Sequence, residues 1–142
     1  MKSHSEHRRA EQGSSLVEFS LVAFLLVMLL VGIVEMCRVM LVYNDVAQAA
    51  RAGVRYAIVH GSDNLKSTSD IQTVVKNFLR AAPVHITNPG LTINVTYPDP
   101  GSCKDPGCRV KVTVTYPYDP FVSYFPISGI NLSSTSQGVY TF

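Results

Sequence analysis

The first clear feature of this sequence is a long run of apolar residues near its N-terminus. From Leu16 to Val34, 15 of 19 residues are Leu, Val, Ile, Phe or Met, and Glu18 is the only charged one. The run predicts a helix about 28 Å long, close to the hydrocarbon thickness of a bilayer. Translocon energies of about −0.5 kcal/mol per apolar residue outweigh about +3 kcal/mol for one carboxylate, so we expect a membrane span over residues 16–34.

The helical pattern continues beyond the span as a narrower stripe, to about Val59. Its apolar and small residues have the spacing of one helix face: Val39, Val42, Val46, Ala50, Gly53 and Ala57. Such a stripe fits packing against the chain's own sheet as well as contact with a neighbouring subunit. The sequence alone leaves both interpretations open.

A second, short amphipathic helix is predicted after a polar loop. The run from Ser67 to Asp70, Ser-Thr-Ser-Asp, supplies capping side chains, and Pro83 ends the pattern. The apolar positions recur at helical spacing: Ile71, Val74, Val75, Phe78, Leu79 and Ala82. This spacing favours one buried face.

The remaining pattern has period two and predicts strands. Residues 91–97 and 109–116 alternate between apolar and polar positions and form a predicted antiparallel hairpin, and residues 130–142 add a final strand. The segment Tyr116 to Pro126 is aromatic and rich in proline, so we expect a loop that cannot run as a central strand. That loop could cover the sheet's own core or contact lipid or a partner. The fold class is α+β, with a small antiparallel sheet of three to four strands.

Composition divides the chain into chemically different parts. It has 142 residues, of which 46% are hydrophobic and only 15% charged. We expect a hydrophilic leader at 1–13, a long helix at 14–59 and a small α+β domain at 60–142. The net charge of +2, without a basic stripe and interleaved aromatic residues, argues against nucleic-acid binding. The common nucleotide, metalloprotease and serine-hydrolase motifs are absent, so we predict no enzyme, catalytic residue, metal site or cofactor.

The cysteines point to an oxidising compartment. Cys103 and Cys108 flank a short turn, Asp105 to Gly107, and a disulfide between them is favoured over half of a metal site because no second Cys or His pair has ligand spacing. Cys37 is expected to be a free helix residue. Three basic residues precede the span and three follow it, so charge does not set its orientation. The predicted disulfide and the short polar N-terminus place the N-terminus in the cytoplasm and the C-terminal domain outside it.

The segment EQGSSLVEF, Glu11 to Phe19, resembles the processing site of type IV pilin-like proteins, with Gly13 before the cut, Ser14 after it, and Glu18 beside Phe19. The wider stretch from Gly13 to Ala57 is similar to the TadE-like pseudopilins of tight-adherence (Flp-type) pilus systems. The resemblance implies a minor pilin of pilin-like fold in the bacterial inner membrane, cleaved after Gly13 by a prepilin peptidase. In such pilins Glu18 would pair with the new α-amino group of Ser14, or of a neighbouring subunit, and set the register of assembly.

The implied partners are the prepilin peptidase, other pilin-like subunits and a major pilin, and indirectly an assembly ATPase with its inner-membrane platform. Incorporation into a surface filament that serves cell adhesion would follow. The alternative interpretation is an uncleaved, signal-anchored binding module of the cell envelope.

Overall fold

The structure is a computed structural model and describes residues 3–60, 67–82, 90–102, 105–120 and 129–141, with side chains from residue 14 onward. Helix α1 is Ser3–Val59, and its end confirms the predicted helix to Val59. The chain divides into two compact units, Met1–Cys37 and Arg38–Phe142. The second unit, called the folded unit below, therefore contains the C-terminal part of α1.

Helix α2 is Thr68–Ala81, and it begins where its capping residues predict. The Asp70 carboxylate accepts a hydrogen bond from the backbone N–H of Ser67 at 3.1 Å, and the Ser67 hydroxyl accepts one from the N–H of Ser69 at 3.4 Å. This capping box satisfies backbone donors that the first helical turn leaves without partners. Pro83, the predicted stop, lies outside the described residues.

Three antiparallel strands form one sheet in the order β1-β2-β3, with bounds Thr92–Thr96, Arg109–Tyr118 and Ile130–Val139. Strands β1 and β2 form the predicted hairpin, with Ile93 opposite Val114. Strand β3 pairs with β2 along its whole length. The α+β class with two helices and a small antiparallel sheet is confirmed.

The predicted loop from Tyr116 begins later than expected, because Pro117 and Tyr118 still belong to strand β2. Strand β2 continues through Pro117 to Tyr118 and pairs with β3, with Pro117 opposite Asn131. Strand β1 ends its pairing at Thr115, so β2 has a described neighbour on only one side beyond that point. A proline without an N–H is tolerated there because the strand is locally an edge. The rest of the predicted loop, residues 121–126, lies outside the described residues.

The core of the folded unit lies between its two helices and one face of the sheet. The fully buried side chains come from all of these elements: Val42, Val46, Ile71, Val75, Leu79, Val110, Val112 and Val114. At two positions the elements pack so closely that only glycine leaves enough room. A Cβ on Gly53 would lie 2.7 Å from Val75 Cγ2, and one on Gly138 would lie 2.7 Å from Val54 Cγ1. These glycines let α1 pack directly against α2 and β3.

Candidate functional site

The apolar stretch of α1, residues 14–36, leaves its side chains exposed on every side. Its large hydrophobic residues from Leu16 to Met36 have exposed fractions between 37% and 72%. Full burial of one such side chain contributes about 1.5–3 kcal/mol, so leaving 16 of them in water would cost tens of kcal/mol. A helix that is apolar all round is stable only when lipid or other protein surrounds it.

Length and composition agree with a membrane location for this stretch. Among the described residues, α1 is the one helix that is long and apolar enough to cross a bilayer. Its uncharged segment runs from Phe19 to Val34, between Glu18 and Glu35. Those two carboxylates are 17 residues apart, about 26 Å along a helix, which keeps both near the ends of a hydrocarbon layer about 30 Å thick. Helix α1 therefore indicates a single-pass membrane anchor.

The predicted processing and assembly residues lie on neighbouring turns of α1. Gly13 lies within the helix, and Ser14, Glu18 and Phe19 are exposed. Ser14 and Glu18 are four residues apart and therefore occupy the same helix face. Phe19 has an exposed fraction of 72%, which makes it the most exposed large apolar residue described. The helix thus presents a carboxylate and an aromatic ring side by side at the start of the apolar stretch.

Ser20, another polar residue of this stretch, has its hydrogen-bond partner in the same helix. The Ser20 hydroxyl donates a hydrogen bond to the Val17 carbonyl at 2.8 Å, so it enters an apolar environment already satisfied. The Glu18 carboxylate accepts two or more hydrogen bonds when ionised. A cationic group is the partner that a carboxylate at the edge of a hydrocarbon layer requires.

The second apolar stretch of α1 belongs to the chain's own core. Val42, Val46, Ala50 and Ala57 are buried, and Gly53 faces Val75 and Val112. Packing against the chain's own sheet, one of the two interpretations of this stripe, is the one that the structure contains. Arg51 and Arg55 lie on the opposite, exposed face.

The connection between β1 and β2 carries an ion pair that sequence reasoning did not single out. The Asp99 carboxylate accepts hydrogen bonds from Arg109 Nη2 at 2.7 Å, from Arg109 Nε at 3.0 Å and from the Arg109 backbone N–H. The Arg109 side chain and backbone hydrogen bonds hold the pKa of Asp99 below its usual value. Asp99 follows β1 and Arg109 begins β2, so the hairpin pattern was the signal that could have paired them.

A tyrosine pair lies at the same end of the sheet. Tyr140 is buried, and its backbone N–H donates to the Cys108 carbonyl at 2.9 Å. Burial, followed by the neighbouring charge and hydrogen bond of Tyr97, raises the pKa of Tyr140 to about 12. Cys37 is a free, exposed cysteine, whereas Cys103 lies outside the described residues. The pairing of Cys103 with Cys108 stays a prediction.

The architecture is that of an α+β unit that carries one long membrane-anchor helix. Residues 13–55 match the family model described as TadE-like protein. The match begins at Gly13, covers the apolar stretch and most of the buried stripe, and confirms the resemblance found in the sequence. No curated protein and no solved structure matches this chain. The matched segment, 43 of 142 residues, is similar to proteins of that family.

Proposed function

We propose that this chain is a minor pilin, or pseudopilin, of a tight-adherence pilus. In this proposal α1 anchors it in the bacterial inner membrane, with the N-terminus in the cytoplasm and the folded unit outside. The observation that carries the proposal is the coincidence of two boundaries. The TadE-like match begins at Gly13, and the exposed apolar stretch of α1 follows at once. A cut at that point would leave a subunit whose N-terminus is an all-round apolar helix.

Such a helix has two environments in which its apolar surface avoids water. Before assembly it lies in the bilayer, and afterwards it packs among the apolar helices of other pilin-like subunits and the major pilin. The match supports partners from a pilus system. The prepilin peptidase, the assembly ATPase and its inner-membrane platform are the specific partners that we propose.

Cleavage after Gly13 is the first testable step. A peptidase binds extended backbone, and glycine lowers the cost of unwinding a helix by about 1 kcal/mol relative to alanine. We expect Gly13→Val to block processing and the wild type to begin at Ser14. The measurement is gel mobility in cells with the peptidase, followed by N-terminal sequencing.

Gly32 offers a matched control for this experiment. It lies in the same helix, and a Cβ there would meet no described atom within 4 Å. Gly32→Val should therefore be processed like the wild type. An intact Met1 in the membrane-extracted wild type would contradict the proposal and favour the uncleaved binding module.

Glu18 is proposed to act in assembly rather than in cleavage. Cleavage would leave a cationic α-amino group on Ser14, one helical turn from Glu18 and equally available to a neighbouring subunit. We expect Glu18→Ala and Glu18→Gln to be processed normally but to assemble poorly, because the carboxylate is lost. Glu35→Gln, at the other end of the uncharged segment, is the control. Normal piliation by both Glu18 variants would remove the pairing from the proposal.

A disulfide between Cys103 and Cys108 is part of the proposal and would support the proposed orientation. An oxidised pair requires an extracytoplasmic folded unit, because cytoplasmic thiols are kept reduced. Alkylation of the purified chain before and after reduction should therefore expose two additional thiols. Full alkylation without reduction would contradict the disulfide.

A further inference from the structure

The outward face of α1 changes chemistry inside the folded unit rather than at Val34. Met40 and Leu41 are exposed on this face, with exposed fractions of 63% and 53%. From Asn44 to Arg55 its exposed residues are polar or basic, namely Asn44, Gln48, Arg51 and Arg55, and the next exposed residue is Val59 at the end of α1. Tyr43, exposed to 48%, lies at the change. The apolar surface thus ends about nine residues later than the predicted span.

The apolar surface of α1 is long enough to cross the hydrocarbon layer and reach into the outer headgroup layer. Glu18 and Tyr43 are 25 residues apart, about 38 Å along a helix. The hydrocarbon layer is about 30 Å thick, and the bilayer with its headgroup layers is about 40–45 Å thick. If Glu18 lies at the cytoplasmic edge of the hydrocarbon, the opposite edge lies near residue 38, and residues 40–43 lie in the outer headgroup layer.

The side chains in residues 38–43 suit that layer. Tyrosine prefers the membrane interface, where its ring lies among acyl chains and its hydroxyl reaches water. Arg38 is half-buried, and its long side chain can extend its charge toward headgroups. Methionine and leucine contribute apolar area without a polar group to satisfy. An apolar patch that continues directly from a membrane helix is covered by the same membrane.

We infer that Met40, Leu41 and Tyr43 of the folded unit contact the outer headgroup layer of the membrane before the subunit is assembled. This inference rests on the proposed membrane anchor and adds a lipid contact to the folded unit. The contact removes apolar surface from water and sets how deeply the chain sits. Arg51 and Arg55, two and three helical turns further on, remain in the aqueous phase.

The sequence contains no tryptophan, so single Trp variants report position directly. We would place the full chain in phosphatidylcholine vesicles whose acyl chains carry bromine either near the headgroup or near the chain terminus. Leu26→Trp probes the span, Met40→Trp and Tyr43→Trp probe the patch, and Val59→Trp is an exposed control. Near-ultraviolet circular dichroism confirms that each variant keeps the fold.

The inference predicts a definite order of quenching. The Met40→Trp and Tyr43→Trp fluorescence should be quenched more by bromine near the headgroup than by bromine near the chain terminus. Leu26→Trp should show the reverse order, and Val59→Trp should be quenched by neither lipid. Quenching at Leu26→Trp with none at Met40→Trp or Tyr43→Trp would overturn the inference alone. No quenching at Leu26→Trp would overturn the membrane anchor as well.

Discussion

Two stretches of one helix use apolar residues in opposite ways. In residues 14–36 of α1 the apolar side chains point in all directions and are exposed, whereas in residues 42–57 they form one stripe that the folded unit buries. The first stretch is rich in Leu, Val and Phe, and the apolar residues of the second are mainly Ala and Val. The difference lies in how many faces of the helix are apolar, because one stripe can be covered by a small sheet and a second helix. An all-round apolar surface needs a surrounding phase or several partner helices.

Introducing a carboxylate should affect the two stretches more differently than any other substitution. Val46→Asp places a carboxylate in the core, where an unpaired charge costs several kcal/mol, so the folded unit should lose cooperative unfolding. Val27→Asp should leave that unfolding unchanged but reduce membrane insertion, at about 3 kcal/mol for an aspartate near the centre of a span.

Near-ultraviolet circular dichroism in detergent measures the first effect, since all seven tyrosines lie at or after Tyr43. Carbonate extraction of membranes measures the second. If Val27→Asp also abolished the tyrosine signal, the stability of the folded unit would depend on the apolar stretch.

Alanine substitution of the two glycines compared here, Gly32 and Gly53, should give a smaller difference in stability. Gly53→Ala should destabilise the folded unit by about 1–3 kcal/mol, because the new Cβ overlaps Val75 in a packed core. Gly32→Ala has open space around it and should leave the denaturation midpoint of the folded unit unchanged. Equal midpoints for the two variants would show that α1 does not pack closely on α2 in solution.

Alkaline titration tests the folded unit through Tyr140. Its folded pKa of about 12 lies above the ordinary value of 10.0, so the native state holds the phenol proton more tightly than the unfolded state. This contribution to stability is complete below pH 10.0 and is lost as the pH rises toward 12. Tyr140→Phe should flatten the fall in denaturation midpoint over that window. The exposed Tyr43→Phe variant should follow the wild type.

The smallest effect is expected from the Asp99–Arg109 pair. The lowered pKa of Asp99 means that its contribution is complete above the ordinary value of 3.8 and is lost as the pH falls through the lower folded pKa. The Arg109 side chain is half exposed, at 50%, so water and salt screen the pair. Asp99→Asn should reduce the acid sensitivity of the midpoint only slightly. A large loss of stability at neutral pH would mean that the pair does more than hold the hairpin ends together.

The sequence by itself determined the elements that depend on local periodicity and on capping. The end of α1 at Val59, the start of α2 after its N-cap Ser67 and the alternation that sets the β1–β2 hairpin all follow from patterns within one segment. The resemblance to TadE-like proteins that starts at Gly13 was likewise legible as a local pattern, and the family match at residues 13–55 agrees with it.

Only the tertiary structure decided the questions that depend on neighbours distant in sequence. It showed that Pro117 continues β2, because β1 is too short to require its missing N–H. It also assigned the stripe of α1 to the chain's own core, since Gly53 meets Val75 and Val112. Periodicity identifies an apolar face but not what covers that face, and the covering atoms come from elements as far along the chain as β3, where Gly138 meets Val54.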